Sequence, residues 1–578
     1  MKKPIVNFIE NTTQFEELIH NCLTTKVACF DFETTTHRVR SEEFRPTIIG
    51  VSFQPGASTI LPLTHDESPF KKSWLKKLTV LNEEVFRHPD VIKSAWNFKF
   101  EMKVLRRYNL FPKFRLFDGM LAKYLLHEER PHGLKEVTDY MLPMFSQYEF
   151  ELKALVKKHG WANVPLEDLG IYCGYDTNIT LLLMNHFEPR LIKNGLYPLF
   201  RNIMMMGSRV ISKVEYDGLR VDREYLDNLI DVYAKRIEES DKILRGNKFI
   251  AKFEKSRLRR HLAKLTEDLQ EEIENLRDQE GKNTATLIKN REEKLSRIIA
   301  GTLTTNKERL DPVNFSSPAQ MTQLLYSSDG MNFKVPKYTT DRKTKKPTNT
   351  PATDEEALIM LKPKDKTGFI SELLDYRGLT KLNSTYIVGM KEHLQPDDYV
   401  RGSFHLQGTV TGRLSSSEPN LQNIPRTTTS SDIKKMFVPP PGMLLLELDY
   451  SQAELRVVAE LANETTMIDF FKKNYNIHVA TACRAELGDK FTIEKMDRLY
   501  SEVKNILKDD NHPKNPYWTK RKKRAKTINF GILYEQGPPK LAKTLSDDGD
   551  PVTKEQASAF LEQWFRDFPA IVLGMKNK

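Results

Sequence analysis

At 578 residues the chain is too long for one hydrophobic core, so three or more domains are expected. Lys and Arg outnumber Asp and Glu by 89 to 78, a formal charge of +11 that suits a phosphate-rich partner, and 39% apolar residues is ordinary for a folded protein. The four cysteines, Cys22, Cys29, Cys173 and Cys483, form no CxxC or other metal-ligand spacing, and no apolar run reaches the length of a secretion signal or a membrane span, so a reduced cytoplasmic setting is expected.

Between residues 27 and 63 the segments VACFDF, TIIGVSFQ and ASTILPL read as strands separated by polar turns. Helices are expected over 100–108 and 117–126, and the alternation predicts an α/β domain ending near residue 195. A charged helical arm follows at 223–297, where Leu262, Leu265, Leu269, Ile273 and Leu276 form one apolar stripe. The segment 336–351 is polar and proline-punctuated and reads as a loop; helix resumes near Asp354 and again through FISELLDYRGLTKLNSTYI. A third globular section starts near residue 400, and Met443-Leu444-Leu445-Leu446 reads as a buried strand.

The first chemical signal is FDFETT. A period of two places Asp31 and Glu33 on one face of a strand, where they can share a divalent ion, with Phe30 and Phe32 on the core face. WNFKFEMKVL adds Asn97, Lys99 and Glu101, FDGMLAKYLL adds Asp118, and IYCGYDTNIT adds Tyr172 and Asp176, one helical turn apart. In this order the segments resemble the three motifs of DnaQ-like (DEDD) 3′–5′ exonucleases, an RNase H-like fold, over about residues 25–190. The resemblance implies two Mg²⁺ ions, or Mn²⁺ in their place, held by Asp31, Glu33, Glu101 and Asp176, with Tyr172 orienting the attacking water. Glu101 stands where that family commonly has aspartate, and Asp118 reads as a structural or outlying carboxylate.

Further on, VEYDGLRVDREYL, SSPAQMTQLLY and LLDYRGLTKLNSTY precede TVTGRLSSSEPNLQNIP, then LLLELDYSQAELRVVAEL, NIHVATACRAEL and RKKRAKTINFGILYE. Lys522, Lys526, Phe530 and Tyr534 recur every four residues, so a basic end and an aromatic end share one helix face. These segments resemble family A DNA polymerases of compact bacteriophage type. The resemblance implies that Arg377, Lys381, Arg413, Asn420, Gln422 and Asn423 contact primer-template DNA. It further implies that Asp449 binds both catalytic metals, that Glu454 excludes a ribose 2′-hydroxyl, and that His478, Lys522, Lys526, Phe530 and Tyr534 hold the dNTP, with Lys526 also catalytic. Phe530 in place of tyrosine implies discrimination against nucleotides lacking a 3′-hydroxyl. Three departures stand out: Lys522 where arginine is usual, with Arg521 beside it; Glu535 where glycine is common; and Asn476 where aspartate is common.

The expected organisation is α/β and α+β multidomain. An exonuclease at 1–195 precedes a thumb and start of the polymerase at 196–400, a partial palm at 401–462 with motif A (LLLELDYSQAELRVVAEL), and fingers at 463–578 with motif B (RKKRAKTINFGILYE). No His-Asp-Glu motif C follows motif B, and DDGD at 547–550 reads as a polar turn rather than its replacement. An incomplete right-hand polymerase is therefore expected, with motif C and the rest of the palm supplied by a second polypeptide or by a C-terminal segment missing from a fragment. Partners implied are single-stranded 3′ ends, primer-template DNA and dNTPs, in the cytoplasm of an infected host cell. A stand-alone 3′–5′ exonuclease and a non-catalytic DNA-binding subunit remain the alternatives.

Overall fold

The computed structural model describes residues 4–129, 131–277, 284–303, 310–341, 344, 346–425 and 431–571. They form two compact units, 1–444 and 445–578, a division that falls inside the 401–462 segment assigned from sequence to one palm.

The first unit opens with β1 (Ile5–Phe8), α1 (Thr12–Thr25), β2 (Val27–Thr34), β3 (Pro46–Ser52), β4 (Ala57–Pro62), α2 (Trp74–Leu81), β5 (Ile92–Ala95), α3 (Lys99–Arg107), β6 (Leu116–Asp118), α4 (Gly119–Leu126), α5 (Leu134–Met141), α6 (Phe150–His159) and α7 (Leu166–Lys193). The strands make one sheet in the order β1-β4-β3-β2-β5-β6, with β2 antiparallel to β3 and parallel to β5. Alternation along β2 sends Phe30 and Phe32 into one core, where Phe30 stacks on Phe86 at 4.3 Å, and leaves Asp31 and Glu33 facing α7. The helix expected at 117 begins as the strand β6, because Asp118 accepts the Met120 and Leu121 amides and so fixes the start of α4 one residue later.

Helix α7 lies unusually close to the sheet. Gly50, opposite Asp31 in the β2–β3 register, has no room for a Cβ, which would sit 2.7 Å from Cys173 Sγ. Ser52, Ser58 and Thr177 share buried hydroxyl hydrogen bonds of 2.6–3.1 Å, and Ser58 also donates to the Gly174 carbonyl at 2.7 Å. These contacts pin α7 to β3 and β4 beside Asp176.

The expected arm is three helices, Arg223–Arg245, Lys248–Arg277 and Thr284–Ile299. Leu269 and Ile273 of its apolar stripe are buried, and Arg277–Glu292 and Arg291–Glu272 ion pairs join the second helix to the third. The segment 336–351 is not simply a loop: Tyr338–Thr340 and Pro347–Pro351 pair as an antiparallel ladder. Pro347 and Pro351 are tolerated because a two-stranded ladder consists of edges, where a missing N–H faces solvent.

Arg377, expected on DNA, is turned inward instead. From the helix Phe369–Lys381 its Nε donates to the Phe315 carbonyl at 2.9 Å and its Nη1 to the Thr353 carbonyl, so only Lys381 of that pair is exposed. Burial accordingly pulls the Arg377 guanidinium below its ordinary pKa. Arg377→Met is expected to cost about 2–3 kcal/mol in a denaturant titration and to leave DNA affinity unchanged. Lys381→Ala should do the opposite.

The second unit is helical: Ala453–Leu461, Thr465–Lys472, Ile477–Leu487, Ile493–Ile506, Asn515–Leu533, Pro538–Asp547 and Lys554–Asp567 enclose a core including Met467, Phe470, Tyr500, Trp518, Ile528, Leu541, Trp564 and Phe568. The expected buried strand ahead of Asp449 does not form. Residues 443–450 are irregular, with Leu444, Leu446, Leu448 and Tyr450 exposed at 93, 80, 83 and 88%. No strand among the described residues pairs with them, and an unpaired apolar strand has no ladder to join.

Candidate functional site

Four carboxylates converge where β2, α3 and α7 meet. Glu33 and Asp176 are nearly buried, and Glu101, at 1% exposure, has an Oε2 with no hydrogen-bond partner among the described residues. Burial, then repulsion from Asp176, pushes the Asp31 pKa up to about 7. Burial and Asp31 raise Glu33 and Glu101 well above the carboxylate range in the same way. Acids this crowded are held together against their mutual repulsion, which is the electrostatic signature of a site that accepts a cation.

Ligand-capable atoms of Asp31, Glu33 and Cys173 lie within 4.8 Å of one another, a cluster able to chelate a divalent metal. Glu101 and Asp176 lie outside that tightest group, although both act electrostatically on Asp31 or receive its repulsion. The orphaned buried Glu101 oxygen and the all-oxygen majority of donors fit a hard divalent ion.

Three residues at this site have no sequence signal of their own, or only a faint one. Lys135, at the start of α5, donates to Asp176 Oδ1 and to the Tyr148 hydroxyl, and Tyr148 donates to the same Asp176 oxygen. The Lys135 ammonium also lies 4.3 Å from the ring centroids of both Tyr148 and Tyr172, which stack on each other at 5.9 Å. Neither Lys135 nor Tyr148 belongs to a periodic pattern, so only folding brings them here. Cys173 does carry a signal, since it stands three residues before Asp176 on α7 and shares its face; its Sγ donates to the Asp31 carbonyl at 3.6 Å.

Asp118 has a structural task. Its carboxylate accepts the Asn97, Phe98, Met120 and Leu121 amides at 3.1, 2.9, 3.0 and 3.4 Å, clamping the β5–α3 turn to the α4 N-terminus and thereby placing Glu101. Burial raises its pKa to about 6 despite these four donors. Lys99 is spent elsewhere: it and Lys103 bind Glu215, and Lys99 also donates to the Phe404 carbonyl at 2.6 Å.

Beyond this domain, Arg413, Asn420, Gln422 and Asn423 are all exposed, with Asn420 Oδ1 accepting the Gln422 amide at 3.1 Å to start a single turn. Asp449 is exposed on the irregular segment described above.

In the second unit, Lys522 and Lys526 are exposed on the helix Asn515–Leu533, with half-buried Phe530 next along and Tyr534 capping the C-terminus. The expected face exists. Tyr534 donates to Glu454 at 3.4 Å, and the Phe530 ring lies 5.6 Å from His478. Burial, reinforced by Lys526 and Lys522, pulls the His478 pKa down to about 4, so the imidazole is neutral near pH 7.

The departures noted in sequence acquire physical meanings. Arg521 does not stand in for Lys522, because it pairs with Glu486 at 2.6 Å and lies over Tyr517. Glu535 has φ +51°, the left-handed conformation that glycine adopts at least cost. Asn476 caps the helix Ile477–Leu487, accepting the His478 and Val479 amides, which aspartate does equally well. In the DDGD turn, Gly549 is left-handed and Asp550 binds Arg524 through two bonds of 2.5 and 2.9 Å, an anchor for the motif B helix.

The site and sheet define a DnaQ-like nuclease fold joined to polymerase-like helical elements. A family model described as "3'-5' exonuclease" matches residues 6–192, and one described as "DNA polymerase family A" matches residues 282–577. The chain belongs to DNA polymerase family A. It is 26% identical over 589 residues to DNA polymerase I of Borreliella burgdorferi, covering 99% of this chain and 53% of that protein. It is 23% identical over 551 residues to the DNA polymerase of Bacillus phage SP01, covering 90% and 53%. The chain thus spans about half the length of these relatives. Its fold is similar to the POL domain of Pol1 from M. smegmatis, solved in complex with DNA primer-template and dNTP, at TM-score 0.66 and 19% identity over 99% of this chain and 78% of that one.

Because Asp31 takes up a proton on folding, its acid form contributes stability at low pH that is lost as pH rises from about 4 through 7. The metal-free chain is therefore expected to melt at lower temperature as pH is raised through that window. Mg²⁺ should restore the loss with proton release, and Asp31→Asn should make the pH profile shallower, Glu33 and Glu101 still contributing, and weaken the Mg²⁺ response. Differential scanning calorimetry in chelator and in Mg²⁺ reads all three.

Proposed function

We propose that the chain is a DNA replication enzyme whose N-terminal domain removes nucleotides from single-stranded 3′ ends, using two Mg²⁺ ions held by Asp31, Glu33, Glu101 and Asp176. The observation that carries this reading is the clustering of these buried, mutually repelling acids, with the Glu101 Oε2 left without a partner among the described residues. The bound cations supply Lewis-acid charge to the scissile phosphate and its attacking water. Tyr172, four residues from Asp176 on α7, orients that water through its hydroxyl. Lys135 and Tyr148 hold Asp176 until cation and substrate arrive, and the Tyr148–Tyr172 pair offers ring faces to a terminal base. Hydrolysis of a 3′-labelled single strand in Mg²⁺ tests this. Asp31→Ala is expected to cut the rate by about 100-fold or more, since even outer-shell partners of metal ligands cost 10–100-fold. Unchanged hydrolysis in that variant would remove the reading and leave the DNA-binding subunit in its place.

The C-terminal half, in the same proposal, binds primer-template through Lys381, Arg413, Asn420, Gln422 and Asn423, and dNTP through Lys522, Lys526, His478, Phe530 and Tyr534, with Glu454 selecting the deoxyribose. Polymerisation at Asp449 depends on strands that pair with 443–450 and bring further acids, supplied either by a second polypeptide or by further chain, in the cytoplasm of the host cell. The exposed apolar run of that segment favours this dependence. Primer extension by residues 1–578 is expected only when those strands are supplied, as a separate polypeptide or as further chain; extension by residues 1–578 alone would refute the dependence.

A further inference from the structure

Beneath the motif B face lies a buried hydrogen-bond chain whose polarity can be read donor by donor. Trp564, on the helix Lys554–Asp567, has an indole N–H that can only donate, and it donates to Asn529 Oδ1 at 2.7 Å. That contact settles the orientation of the Asn529 amide: its oxygen faces Trp564, so its nitrogen faces His478. Asn529 Nδ2 lies 3.0 Å from His478 Nδ1 and 3.2 Å from the Thr481 hydroxyl, and Asn529 is wholly buried. An amide nitrogen can only donate, so His478 Nδ1 must accept and the ring proton must reside on Nε2. No partner for Nε2 occurs among the described residues, while Lys526 and Lys522 are near enough to lower the ring's pKa and the Phe530 ring lies 5.6 Å away.

We propose that Asn529, oriented by Trp564, is a positioning residue that holds His478 in the Nε2–H form and so presents a neutral N–H donor to a phosphate gathered by Lys522 and Lys526. The inference rests on the nucleotide-binding reading of this face, but the tautomer is decided without it. A neutral donor adds direction to two flexible point charges without adding a third positive charge, which matters here because Lys522 lacks the rigid fork of an arginine. The ring's low pKa agrees with this arrangement: protonation would put a hydrogen on Nδ1 against the Asn529 N–H.

The test uses the full chain labelled with ¹³C,¹⁵N-histidine, the His478 resonance being assigned by its loss in His478→Gln. The expected signature is an Nε2–H neutral ring throughout about pH 5–8, with the Nε2 signal moving when Mg·dNTP is added. Asn529→Asp keeps an acceptor for Trp564 but replaces the amide donor with a carboxylate. His478 should then gain a proton on Nδ1 and titrate within the same range, and dNTP affinity should become pH-dependent where it was flat. Trp564→Phe keeps the packing but frees the amide to turn, and should give a mixture of tautomers.

An Nδ1–H ring in the unaltered chain, or a His478 signature unmoved by both variants, would overturn the proposal. So would dNTP that binds without shifting His478 Nε2. If dNTP fails to bind at all, the nucleotide-binding reading and the phosphate role of His478 fall with it, while the tautomer result still decides whether Asn529 sets the ring.

Discussion

Carboxylates that repel one another inside a protein stay together only if the scaffold holds them there, and the N-terminal domain is built around that cost. Asp31 and Glu33 share a face because β2 alternates. Asp176 reaches them because Gly50 lets α7 come close and the Ser52-Ser58-Thr177 hydroxyls lock it down. Glu101 reaches them because Asp118 clamps the turn before α3. Each device is local and cheap, yet together they oppose a repulsion that raises the Asp31 pKa to about 7.

The same constraint separates acids that keep a free ligand atom from acids that keep none. Asp118 satisfies its oxygens with four backbone amides, Glu215 with two lysines and the Phe404 amide, and Asp550 with Arg524 and Lys520. Burial alone would lift Glu215, but Lys103 and Lys99 hold it below its ordinary pKa. A buried ion whose lone pairs are all occupied is a strut, with little left to offer a ligand. Glu101 is the contrasting case, equally buried but with an oxygen left over. Lys135 and Tyr148 give Asp176 an intermediate status: engaged, but by an ammonium on a flexible stem that can withdraw.

Much of this was legible in the sequence. Period-two alternation placed Asp31 opposite Phe30, and the four-residue spacing placed Tyr172 one turn from Asp176, because both depend only on the repeat of the element that carries them. The basic-aromatic face of Lys522, Lys526 and Phe530 was readable for the same reason. What stayed hidden depends on distant chain. Arg377 has the spacing of a surface cation, but two carbonyls 62 and 24 residues away claim its guanidinium. Lys135 looks like any exposed lysine until α5 and α7 meet. Asn529 falls within a recognised motif, but its task is set by Trp564, 35 residues further on.

The failed strand at 443–446 follows from a difference between the two kinds of secondary structure. A helix satisfies its backbone internally, so the helices of the second unit can form wherever a shared core, such as that around Trp518 and Trp564, covers one face of each. A strand satisfies nothing until a neighbour pairs with it, so an apolar run of high strand propensity remains irregular when no partner is at hand. The basic-aromatic face of Lys522, Lys526 and Phe530 is therefore set by packing among nearby helices. The segment carrying Asp449 has no pairing strand among the described residues, so the position of that acid is not determined by its own surroundings.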